Sequence, residues 1–182
     1  MPHYDYTKDL HAAWEKAVRQ YREGRRGSAT FFSAEETKFL DSIGLTAQEV
    51  YDFAEDFVNG GEPDFATFAV IHDIRRAYFL ETQKGRRSPG RIEPASLPAK
   101  DAQARGIRWL PRIIPKARAK LRGELHPDIM YACGGDRAFL REHDIHPAEF
   151  LRVIWQHEGN DEAVLDWVEQ RSRRAHAGAG KT

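Results

Sequence analysis

An all-α fold is what this sequence predicts, and three observations carry the expectation. Apolar residues recur at steps of three and four, Ser or Thr followed three positions later by Glu marks helix starts, and no stretch alternates apolar with polar residues as a half-buried strand would. Because helical landmarks return about a hundred residues later, the expected architecture is two related multi-helix units, an internal duplication, packed as one compact helical domain. The expected boundaries are a first unit over residues 1–84, a linker rich in Pro and Arg over 85–100, a second unit over 101–175 and a flexible tail over 176–182.

The first helix is signalled by Leu10, Trp14, Ala17, Val18 and Tyr21, which fall on one face, and it should stop near Gly24. Ser33 and Glu36 form a capping box for the next helix, whose buried side is Phe39, Leu40 and Ile43 and which Gly44 ends. Thr46 and Glu49 form a second box, with Leu45 and Val50 placed as its hydrophobic staple. Asp64 then caps a longer helix bearing Phe65, Phe68, Ala69, His72 and Phe79.

Between residues 84 and 100 the mixture of Lys84, Arg86, Arg87 and Arg91 with Pro89, Pro94 and Pro98 breaks the period. Helical signal is expected again from about Asp101, with a kink or a fresh start at Pro111 and Pro115 and an end at Gly123. Asp136 is the expected cap of a short helix holding Phe139 and Leu140. His146 and Pro147 open another, and Asp161 caps the last, which carries Val164, Leu165, Trp167 and Val168.

At a shift of one hundred, Lys16 and Ala17 fall on Lys116 and Ala117, Arg22 on Arg122, Phe39 and Leu40 on Phe139 and Leu140, and Glu49 on Glu149. Residues 8 to 58 give seven identities in 51 positions, against about three expected from average composition. The stronger sign is the constant offset of caps and staples, with Leu45 and Val50 falling on Ile145 and Phe150.

Lys plus Arg equals Asp plus Glu at 28 each, so no whole-chain field steers the protein to nucleic acid or membrane. The one cysteine, Cys133, excludes an internal disulfide framework, and the opening residues lack a secretion signal, so a cytoplasmic location is expected. No apolar run approaches the roughly 20 residues that span a bilayer.

Charge is nevertheless segregated. Eight basic residues and one acid lie between Lys100 and Arg122, whereas ten acids and one base lie between residues 35 and 73. Solvated or mutually opposed faces would explain this; a functional reading makes Arg112, Lys116 and Arg118, with Trp109 beside them, an anion pocket. The absence of interleaved aromatics argues against nucleic acid. His143, His146 and His157 read as capping and core residues, so no metal site is expected, and Cys133 reads as a buried, inert thiol. His72, Arg75 and Arg76 read as satisfied core groups. The ending Gly180-Lys181-Thr182 lacks the strand and helix that a phosphate loop needs.

The run from Trp109 to Arg118 (Trp-Leu-Pro-Arg-Ile-Ile-Pro-Lys-Ala-Arg), followed by Gly123 and by Phe139-Leu140, resembles the bacterial domain-of-unknown-function family numbered 5069. The opening Thr7-Lys8-Asp9-Leu10 is similar to the start of that family, and the resemblance is best over residues 105 to 172. It implies a small helical fold in bacteria and no particular activity.

The functional expectation is a module that binds a small anionic ligand or a protein partner, a homodimer included. The alternatives are an enzyme acting on an anionic substrate through His126, Asp136 or Cys133, and a purely structural dimerisation domain. The sequence names no cofactor.

Overall fold

The computed structural model describes residues 3–179. They form two compact units, which divide between Ser88 and Pro89. The all-α expectation holds: helices account for nearly all the regular structure of both. No helix is long and apolar enough to cross a membrane among the described residues.

The first unit contains α1 (Tyr6–Arg22), α2 (Ala34–Ser42), α3 (Ala47–Gly60) and α4 (Phe65–Glu81). Both capping boxes form. Ser33 Oγ accepts from the Glu36 amide while the Glu36 carboxylate accepts from the Ser33 amide at 2.6 Å, and Thr46 and Glu49 repeat the arrangement. Asp64 caps α4 through the Thr67 amide. The staple residues Leu45 and Val50 are fully buried, as are Leu10, Leu40 and Phe68, and each such aliphatic or aromatic burial contributes roughly 1.5–3 kcal/mol. On α4, His72 Nδ1 pairs with the Phe68 carbonyl, and the buried Arg75 guanidinium donates to Gln83 Oε1, so both act as core polar groups.

The second unit contains α5 (Leu110–Arg122), α6 (Gly134–Glu142), α7 (Pro147–Gln156) and α8 (Asp161–Ala179). Four local expectations change here. Helical structure does not resume at Asp101. Gln103 pairs with Arg108 and Ala104 with Ile107 in a two-stranded antiparallel hairpin, whose turn residues Arg105 and Gly106 both have positive φ (50° and 79°), the geometry that a two-residue hairpin loop requires. The fresh start falls at Leu110, so Pro111 lies in the first turn, where an amide proton is not needed, and Pro115 is carried inside the helix. Asp136 does not cap α6, because the helix begins two residues earlier with Cys133 in the capping position. Asn160, not Asp161, caps α8, its side-chain oxygen accepting from the Ala163 amide. α8 continues through residues 176–179, where the tail was expected to begin; Gly180, Lys181 and Thr182 lie outside the described residues.

Described separately, the two units have the same internal order. α2 and α6 have bounds one hundred apart, as do the starts of α3 and α7. α1 packs chiefly on α3, and α5 on α7. The turn after α2 passes through Gly44 at φ 78° and the turn after α6 through Asp144 at φ 53°, and each is followed by the same closing bond, Leu45 N–H to Leu40 O and Ile145 N–H to Leu140 O. Phe31 and Tyr131 are both fully buried.

Candidate functional site

The second unit is organised around Asp136, which is fully buried in the first turn of α6. Its Oδ1 accepts from the Trp109 indole N–H at 2.9 Å, and its Oδ2 accepts from Lys116 Nζ at 2.5 Å and from the Ala132 amide at 3.0 Å. Both loop residues that it holds have left-handed backbones, Trp109 at φ 70° and Ala132 at φ 63°. A bulky residue in that region costs on the order of 1–3 kcal/mol and persists only where its surroundings over-determine it. Trp109 must nonetheless sit there, because its amide closes the hairpin on the Ala102 carbonyl while its own carbonyl accepts the first bonds of α5.

The indole is locked along one edge. A Cβ at Gly135 would lie 2.6 Å from Trp109 Cζ2, so only glycine lets the ring approach α6 this closely. Trp109 and Gly135 then line a cleft of about 780 Å³ together with Lys100, Arg108, Phe139, Glu142, His143 and Ser172. Ser172 Oγ lies 2.8 Å from both the Val168 carbonyl oxygen and His143 Nδ1, so the hydroxyl ties the imidazole to the helix backbone and orients it.

The expected anion-pocket residues divide. Lys116 and Trp109 meet on Asp136, and Lys116 also lies 3.4 Å from Cys133 Sγ. The Arg112 guanidinium sits 5.9 Å from the Trp109 ring centroid and donates to the Pro98 carbonyl. Arg118 is elsewhere, paired with Asp161 at the start of α8. Other basic residues of the segment are also internally paired: Arg105 with Glu162, Asp166 and Glu169, and Arg122 with Glu158 at 2.8 Å. Lys116 and Lys120, one turn apart on α5, are buried. Lys100 and Arg108 differ: they are exposed on the lip of the cleft and make no ion pair among the described residues.

Of the groups considered for acid-base or nucleophilic chemistry, Asp136 and Cys133 come together through Lys116. His126 accepts instead from the Asp128 amide and faces Glu93. Cys133 is half-buried rather than buried, since it stands at the open end of α6. Tyr131 lies near this network; burial, with the Asp136 charge second, pushes its phenol well above the ordinary range, and it donates to the Pro147 carbonyl. Sequence reasoning missed Gly135, Glu142, His143 and Ser172 as cleft residues. The paired Gly134-Gly135 at a helix start is the local sign that something approaches closely there.

The first unit carries a smaller cleft of about 340 Å³, lined by Asp9, Ala12, Ala13, Glu35, Glu36 and Phe39. Asp9, Glu35, Glu36 and Phe39 stand one hundred positions before Trp109, Gly135, Asp136 and Phe139. Lys16 Nζ reaches both Glu36 carboxylate oxygens, at 2.8 and 2.6 Å, as Lys116 reaches Asp136. The ion pair between first and second helix is thus present in both units, but it is buried in the second and half-exposed in the first.

No curated protein and no solved structure matches the chain. Residues 97–180 match the family model described as "Domain of unknown function (DUF5069)", a span that holds the hairpin, α5 to α8 and the whole cleft and leaves Thr7–Leu10 outside it. Over that span the chain resembles the DUF5069 family.

Proposed function

We propose that the second unit is a small-molecule binding module whose cleft takes a ligand bearing a carboxylate or phosphate group. The observation that carries this reading is the distribution of positive charge. Across the basic segment, Arg105, Lys116, Arg118 and Arg122 are neutralised by carboxylates of the same unit, whereas Lys100 and Arg108 make no ion pair among the described residues and stand at the mouth of the cleft. A concave site with apolar walls and a few convergent polar groups is the usual form of a small-ligand pocket, and an anion would complete the charge balance at its rim. Of the residues first expected to hold the anion, Trp109 stays in the proposal as a wall; Lys116 supports it through Asp136, and Arg112 and Arg118 have other partners.

The two units read best as variants of one ancestral unit. The repeated Lys16–Glu36 and Lys116–Asp136 pairs, the equal helix offsets and the matching turns support this. On that reading the first unit retains the framework without the ligand-binding surface, since Asp9 and Glu35 stand where Trp109 and Gly135 form the second cleft.

The test is calorimetric titration of the full chain with inorganic phosphate and with benzoate, beside Lys100→Ala, Arg108→Ala and the double variant. Each single substitution should weaken binding several-fold and the double variant should abolish it, with the thermal midpoint unchanged when no ligand is present. Heats identical in the wild-type chain and the double variant would refute the assignment.

A further inference from the structure

We infer that the ligand of this cleft carries a planar conjugated ring that stacks on the Trp109 indole, with its anionic group directed to Lys100 and Arg108; the inference rests on the anion-binding reading above. Three features of Trp109 point to the ring. Its indole N–H is consumed by Asp136, and its benzo edge is pressed against Gly135, so the polar and edge contacts of the side chain are already spent inside the protein. What it contributes to the cleft is ring surface. Second, that surface is held rigidly: the backbone is left-handed, the hydrogen-bond acceptor is itself fully buried, and Lys116 anchors that acceptor from α5. A ring held this way is preorganised, and a stacking platform gains affinity from preorganisation.

The third feature is electronic. The Arg112 guanidinium lies 5.9 Å from the indole centroid and is held by the Pro98 carbonyl, so the ring is already polarised by a cation. An electron-rich planar anion such as an aromatic carboxylate suits that surface, and Phe139 offers it a second apolar contact. Glu142 on the same lining disfavours an anionic group near it, which restricts the charged end of the ligand to the side of Lys100 and Arg108. The equivalent cleft of the first unit, with Asp9 for Trp109 and Glu35 for Gly135, should not bind such a ligand.

The experiment compares 2-naphthoate with decahydro-2-naphthoate, which has the same charge and a similar apolar skeleton but is not planar, using inorganic phosphate as the anion control. In the wild-type chain naphthoate should bind roughly three- to tenfold more tightly than its saturated analogue, the range of an aromatic pair beyond simple burial. Trp109→Leu should remove that preference, read as the ratio of the two carboxylate affinities within the same variant; Trp109→Phe should retain part of it. Independently of any variant, nuclear Overhauser contacts are expected between naphthoate protons and the Trp109 indole, assigned from the resonances missing in Trp109→Phe. Equal affinity for the two carboxylates, or naphthoate bound with no contact to Trp109, overturns the stacking inference while the anion site stands. If neither carboxylate nor phosphate binds, the anion-binding reading fails first and this one with it.

Discussion

Lys116 Nζ lies 2.5 Å from Asp136 Oδ2, and neither side chain is more than 4% exposed. The counterpart Lys16–Glu36 is as short but lies at the surface, its side chains 26% and 35% exposed. The same pair of positions therefore performs one task in two dielectric settings. Removing one member of a buried pair strands the other charge, at a cost of about 3–5 kcal/mol, whereas exposed pairs contribute about 0.2–1 kcal/mol. Asp136→Ala should thus destabilise the second unit severely, and more so because the Trp109 and Ala132 N–H groups lose their acceptor. Lys16→Met should lower stability by under about 1 kcal/mol. Urea denaturation of both variants checks the contrast; equal losses would show that burial does not govern these pairs.

Gly135→Ala should move Trp109 without unfolding the chain. The added methyl would stand 2.6 Å from Cζ2 and 2.7 Å from Cη2 of the indole, closer than carbon atoms approach. The ring must shift outward, at about 1–3 kcal/mol for overpacking. The expected signature is a red-shifted tryptophan emission together with a lower denaturation midpoint. An unchanged spectrum would mean that the indole has room the geometry does not offer.

Acid should erode the first unit partly through Glu36. Burial alone would raise its carboxyl pKa, but hydrogen bonds from Lys16 and from the Ser33 amide and hydroxyl together hold it below the ordinary 4.5. A depressed folded-state value contributes stability that is present above the unfolded value and is lost as pH falls through the folded one. Glu36→Gln should therefore flatten the fall in stability below about pH 4.5 while lowering stability at neutral pH. Thermal melts between pH 3 and 7 measure both effects.

Alkaline pH should act through Tyr6. Burial, and next its hydrogen bond to Asp73, push the phenol up to about 12 from an ordinary 10.0. A raised folded-state value means that the contribution is intact below pH 10 and disappears as pH rises toward 12. Tyr6→Phe should lessen the loss of stability across that interval. In an ultraviolet titration of the wild-type chain, the phenolate signals of Tyr6 and of the buried Tyr131 should both appear above the ordinary tyrosine range.

By itself the sequence determined the helical class and much of its punctuation. Capping boxes, staples and glycine stops are chemistry between residues three to five apart, so Ser33 with Glu36 and Thr46 with Glu49 could be read directly and form as expected. The constant offset of a hundred was likewise legible, because spacing is a property of the chain. The Arg105-Gly106 hairpin was not, since strands two residues long are too short to show an alternating pattern. The placement of charge was also decided by tertiary structure. Arg112, Lys116 and Arg118 share one basic helix in the sequence, and nothing local tells which will be neutralised. Asp136 lies 20 residues from Lys116, and Asp161 lies 43 from Arg118. Only folding brings those carboxylates in, and by doing so it leaves Lys100 and Arg108 as the cations that face the cleft.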